Sequence, residues 1–171
     1  MSLLDTIRER RSVREYYGRP VPEDALSRVL EAARLAPSAK NLQPWKFIVV
    51  TDAGIKKRLA KASFDQMFMA RAPVIVVACG LPGQAYGRMG RYMSSWPVDV
   101  AIALEHLVLQ AAEEGLGTCW IGAFEEAEIK DILGIPADVR VLALTPLGYP
   151  AEKPASRGRK ALEEIVGHEK F

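Results

Sequence analysis

The sequence predicts an α+β fold, a small mixed β-sheet flanked by helices. Four short runs rich in bulky and β-branched residues read as strands: Trp45–Thr51, Pro73–Cys79, Gly117–Ile121 and Val139–Leu147. The segments between them repeat apolar residues at the helical period instead. The chain has 171 residues, 49% of them hydrophobic and 26% charged, with no repeat, low-complexity tract or linker. That size and make-up fit a single globular domain over residues 1–171.

Each element has a local cause. Ser2 followed by Asp5 is a capping-box pattern opening a helix from Leu3 to about Arg10. After a polar turn at Gly18-Arg19-Pro20, Pro22 suits a first helical position, and Glu23 and Asp24 favour the positive end of the helix dipole. Leu26, Val29, Leu30 and Ala33 give that helix one apolar face, and Pro37 stops it. Asp52 can cap a helix to about Ala62, with a short helical stretch from Phe64 to Arg71. Pro73–Cys79 is apolar enough to be buried on both faces. Leu81 to Trp96 holds four Gly or Pro residues among Tyr86, Arg88, Arg91 and Tyr92, and reads as a loop long enough to act as a lid or partner contact.

The next helix, from Pro97 to about Glu114, has eleven apolar residues in the fifteen from Val98 to Ala112. Asp99, His106 and Gln110 form its narrow polar stripe, since seven and eleven positions return to nearly the same side. A helix so apolar is covered on most sides, as a core helix, a dimer interface, or both. Glu125 to Leu133 reads as a helix, and a short helical stretch at Ala161–Val166 closes the tail.

Composition excludes several classes. The formal net charge is only +2 and aromatic residues are 8%, which argues against a nucleic-acid-binding surface. Cys79 and Cys119 lie in apolar runs without metal-ligand spacing, so they read as buried small hydrophobes. No apolar run reaches the roughly 18 residues of a bilayer span, and the N-terminus lacks a signal-peptide core. The expectation is a cytoplasmic protein with no membrane contact. Gly115-Leu-Gly117 is not a dinucleotide fingerprint, because it closes a helix and enters a strand.

Two constellations can carry chemistry. Arg8, Arg10, Arg11 and Arg14 cluster around Ser12, and Arg157, Arg159 and Lys160 cluster in the tail. Guanidinium forks beside a hydroxyl make a compact phosphate site, if the fold brings the ends together; otherwise they are a solvated face. Pro37-Ser-Ala-Lys-Asn-Leu-Gln-Pro-Trp45 is a dense polar turn whose amides and hydroxyl suit the edge of a heterocycle, or satisfy one another. His106 reads as a satisfied core or interface histidine. With no catalytic triad, metal site or paired carboxylates, an enzyme of this sequence would use an organic cofactor.

Taken together, these motifs resemble the nitroreductase family of FMN-dependent oxidoreductases. Arg10-Arg-Ser-Val-Arg14 resembles its RRSxR signature and Pro37–Trp45 its PSxxNxQPW turn. Gln66 ahead of Ala72-Pro73, Asp99 on an Ala-rich helix, Gly117–Gly122, Gly148-Tyr-Pro150 and Arg159-Lys160 follow in the family's order. The resemblance implies an intertwined homodimer with FMN at the subunit interface. It implies that Arg10, Arg11, Ser12, Arg159 and Lys160 hold the phosphate, with Arg157 a further candidate. Arg14 would lie beside the ring, where a fixed cation favours the reduced flavin. Pro37, Ser38, Ala39 and Asn41 would reach the flavin from the partner, Gln66 would meet its pyrimidine edge, and the backbone at Ile121 and Gly122 would face N5. No catalytic side chain is implied. The expected activity is transfer of hydride from NADH or NADPH, through FMN, to an electron-poor small-molecule acceptor such as a nitroaromatic or quinone, in a two-step exchange. The alternatives are a specialised flavoenzyme of the same fold, dehalogenating or dehydrogenating one substrate, and a non-catalytic phosphate- or RNA-binding module.

Overall fold

The computed structural model describes residues 2–171. Its helices are α1 (Leu3–Glu9), α2 (Glu23–Arg34), α3 (Ala53–Ala62), α4 (Trp96–Glu113) and α5 (Glu126–Leu133). Its strands are β1 (Trp45–Val50), β2 (Val74–Gly80), β3 (Gly117–Thr118) and β4 (Arg140–Gly148). The caps are those the sequence expects. Ser2 Oγ accepts from Asp5 N–H while Asp5 reaches back to Ser2, and Asp52 accepts from Ile55 N–H. Pro22 sits at the N-cap of α2 rather than inside it. The stretches expected to be helical at Phe64–Arg71 and Ala161–Val166 form only 3₁₀ turns, Met67–Arg71 and Leu162–Glu164.

The strands form one sheet in the order β1-β2-β4-β3, with every pair antiparallel. The parallel part of the expected mixed sheet is confined to a single bridge, Ser12 to Thr118. β3 is shorter than the expected Gly117–Ile121. Val13 N–H donates to Thr118 O on its outer side, and the chain rejoins β4 only at Ile121, whose N–H and C=O both pair with Leu144. Cys119 and Trp120, between these two attachments, belong to no strand.

Alternation along β2 divides the core. Ile75, Val77 and Cys79 pack with Leu59 and Ile129 under α3 and α5. Val76 and Ala78 pack with Val29, Leu104 and Leu107 under α2 and α4. Every β2 residue is buried, as an unbroken apolar run in a central strand requires. Arg28 ties α2 to α4 through two bonds to the Glu114 carboxylate, both 2.7 Å. Positive φ at Gly115 lets the chain turn from α4 into β3.

Cys79 and Cys119 are free and buried, as expected. Burial pushes the Cys79 thiol up to about 11 from its ordinary value near 9. The folded protein holds this proton more tightly than the unfolded chain. The resulting stabilisation is complete below about pH 9 and is lost as pH rises towards 11. A Cys79→Ala variant is expected to lose less stability than the parent between these pH values, measured by urea unfolding; identical slopes would contradict the assignment.

Candidate functional site

The two arginine-bearing ends meet. Beyond β4 the chain folds back along residues 14–17: Tyr17 N–H donates to Tyr149 O, and Ala151 N–H donates to Glu15 O. Tyr16 and Pro150 form an antiparallel bridge, and Arg14 N–H donates to the Glu152 carboxylate. The Arg19 guanidinium lies over the Tyr149 ring, 3.2 Å from its centroid. Residues 12–17 are thus held between β3 on one side and the returning tail on the other, which fixes Ser12 and its neighbouring arginines on a defined backbone.

The product is a cleft of about 150 Å³ lined by Arg10, Arg11, Ser12, Arg14, Arg157 and Arg159, with Pro154–Ser156 forming its rim. Among the described residues, none of these five arginines makes an ion pair with a carboxylate. Arg11 spends one guanidinium nitrogen on the carbonyls of Arg8 and Arg10, and Arg159 spends one on the carbonyls of Arg157 and Gly158. The charges remain unneutralised, so gathering them in one cleft is unfavourable until an anion enters. The cleft has the size and donor set of a phosphate with its polyol chain, and it is too small to enclose a tricyclic ring. Lys160 is exposed and stands outside it, whereas Arg157 lines it.

Contacts lead from the cleft towards the remaining expected residues. The Arg14 guanidinium lies 5.9 Å from the Phe68 ring centroid. Two residues before Phe68, Gln66 donates to Ser63 O at 2.9 Å and to Ala123 O at 3.2 Å, pinning the loop that follows Gly122. Ile121 is buried, while Gly122 is exposed, and a side chain there would meet open space.

Pro37, Ser38, Ala39 and Asn41 do not line the arginine cleft of their own chain. Their turn satisfies itself in part: Ser38 Oγ accepts from Gln43 N–H, and Gln43 Nε2 donates to the backbone and side-chain oxygens of Asn41. It is also strained, with Lys40, Asn41 and Gln43 all at left-handed φ between 50° and 56°. Non-glycine residues rarely adopt that region, and each such position stores of order 1–3 kcal/mol. Asp99, which the sequence places in the polar stripe of α4, anchors this turn: Ala39 N–H donates to Asp99 Oδ1 at 2.9 Å.

His106 is half-buried beside an apolar groove of about 510 Å³, away from the arginines. Leu3, Ile7, Leu35 and Leu109 line that groove. No group of three or more metal-ligating side chains occurs among the described residues, and no helix is long and apolar enough to cross a membrane.

The nitroreductase family model matches residues 7–72 and 64–149. A protein of Archaeoglobus fulgidus described as a putative NADH dehydrogenase/NAD(P)H nitroreductase is 35% identical over 88% of this chain and 86% of its own. The FMN reductase [NAD(P)H] of Bacillus subtilis is 28% identical over 98% of this chain and 73% of its own. The solved structure of an FMN-dependent nitroreductase from Clostridium difficile R20291 superposes with a TM-score of 0.87 at 28% identity, covering 98% of this chain and 99% of that one.

Proposed function

The chain belongs to the nitroreductase family, and from that premise we propose how it carries out FMN-dependent NAD(P)H oxidoreduction and on what class of acceptor. When bound, FMN supplies hydride transfer in two separate exchanges, from NADH or NADPH and then to an electron-poor nitroaromatic, quinone or similar acceptor. The observation that carries this reading is the cleft of unpaired arginines around Ser12.

Arg10, Arg157 and Arg159 hold the phosphate by charge-assisted hydrogen bonds, and the Ser12 hydroxyl adds a neutral donor. Arg11, which like Arg159 commits one guanidinium nitrogen to two carbonyls, offers the phosphate its remaining nitrogens. Lys160 extends the positive field from outside. Arg14, steadied against Phe68, sets a fixed cation beside the ring, where it favours added negative charge. The Gln66 amide orients the pyrimidine edge, and the Ile121–Gly122 backbone leaves one face accessible without a side chain in the way. No side chain of the protein enters a covalent step.

The site is completed by a second copy of the chain, whose Pro37, Ser38, Ala39 and Asn41 approach the ring. Leu3, Ile7 and Leu35, 69%, 48% and 64% exposed, surround an apolar groove of about 510 Å³ that a second copy would cover. Leu162, Ile165 and Val166 of the tail are exposed as well. The whole of residues 1–171 acts as one FMN-binding domain, repeated in a homodimer.

Anaerobic NADH or NADPH is expected to bleach the yellow absorbance of the loaded protein, and a quinone or nitroaromatic to restore it. Steady-state double-reciprocal plots should be parallel when both substrates are varied. Intersecting lines would contradict reuse of one site.

A further inference from the structure

We propose that Asp99 is a positioning residue that joins the strained Pro37–Trp45 turn and the Leu81–Trp96 loop into one unit. Its side chain, 3% exposed, accepts from Ala39 N–H through Oδ1 and from the Ser95 hydroxyl through Oδ2, at 2.9 and 2.7 Å. Ser95, fully buried, passes the connection on. Its Oγ accepts from Tyr86 N–H at 3.1 Å, and its own N–H donates to Tyr86 O at 2.8 Å. One carboxylate therefore holds the first residue of the turn's 3₁₀ segment and, through one hydroxyl, the middle of the loop.

Two further contacts close the unit. Leu81 N–H donates to Pro44 O at 2.9 Å, so the loop starts on the end of the turn. The Lys40 ammonium lies 4.8 Å from the Tyr86 ring centroid, so an exposed residue of the turn rests on the loop. Loop and turn are thus attached at three places, and Asp99 reaches both from helix α4, the loop through Ser95. Lys40, Asn41 and Gln43 sit in a backbone region that relaxes when unconstrained, which gives Asp99 something to hold. A buried carboxylate with both oxygens bonded is a strong anchor, and removing it orphans Ala39 N–H and the Ser95 hydroxyl together.

The consequence at the active site rests on the reading that this turn meets the flavin. Under it, a substitution in the loop that alters acceptor selection also alters the flavin's surroundings.

Hydrogen exchange of the flavin-free protein tests the latch without relying on that reading. In Asp99→Ala the amides of Ala39 and Tyr86 are expected to exchange at least about tenfold faster, with β2 unchanged. Asp99→Asn keeps an oxygen for Ala39 N–H and should restore its protection. Ser95→Ala should release Tyr86 and leave Ala39 protected. Unchanged exchange at both amides in Asp99→Ala, or acceleration in Ser95→Ala that includes Ala39 equally, would overturn the proposal. In the FMN-loaded proteins, Asp99→Ala should shift the flavin absorbance envelope and raise KM for the acceptor more than it lowers kcat, with Asp99→Asn reverting the spectrum. If exchange responds as expected while the spectrum stays fixed, the latch stands and the turn's contact with flavin is refuted.

Discussion

Replacing Arg10 and Ser12 together with Ala is expected to weaken FMN binding by about 3 kcal/mol, roughly a hundredfold in Kd. Both side chains line the cleft where the arginines of the two chain ends converge, and neither is held by a carboxylate. Loss of charge-assisted hydrogen bonds to a dianion should therefore reach the ligand undiluted. Riboflavin, which lacks the phosphate, supplies the control: the parent protein should bind it much more weakly than FMN, and the double variant should bind it about as well as the parent does. Fluorescence titration of apoprotein with each flavin reads both. An equal loss for FMN and riboflavin would place the phosphate outside this cleft.

Gly117→Ala is expected to destabilise the fold by about 1–3 kcal/mol and to weaken FMN as well. A Cβ at Gly117 would lie 2.8 to 3.0 Å from Cγ2, Cβ and Cγ1 of Val13. Val13 is β-branched and stiff, and its N–H is bonded to Thr118 O, so it cannot simply rotate aside. The strain must move the segment that carries Ser12 and Arg14. Adding Val13→Gly removes all three crowding atoms and makes room for the new methyl group, and the Gly117→Ala/Val13→Gly protein should recover FMN affinity relative to Gly117→Ala alone, although it gains a small cavity. Urea unfolding and FMN titration of the three variants measure the two effects separately. Independent, additive losses would show that the close approach carries no information to the site.

The helices were legible because their causes are local. Ser2 with Asp5, Asp52, the apolar face of α2 and the glycine after α4 lie within a few residues of what they control. The apolar run of β2 announced a strand covered on both faces for the same reason. β3 was overestimated because Gly117–Ile121 has the composition of a strand throughout, while its length is set by where Val13 and Leu144 attach.

The site divides along the same line. Each arginine cluster was visible as a cluster, yet their meeting depends on pairing between residues 14–17 and 149–152, more than 130 positions apart. Lys160 and Arg157 are three residues apart in an irregular tail, and no periodicity indicates which one turns into the cleft. The polar turn could be read either as a self-satisfied loop or as a ligand contact, and its internal bonds through Ser38 and Gln43 show why both readings arise. Asp99 stands out in the sequence as part of a polar stripe and in the order of the family's motifs, neither of which tells what it bonds. Its partner Ala39 is sixty residues earlier and donates through its backbone, which leaves no trace in residue type.

The central claim is that the two ends of this chain build a phosphate clamp for FMN that a second copy completes. Titration of the apoprotein with FMN in the analytical ultracentrifuge tests it most directly, following flavin absorbance and mass together. The account predicts flavin sedimenting with a dimer at one FMN per chain. Saturated flavin on a stable monomer, or a dimer that takes up no FMN, would contradict it.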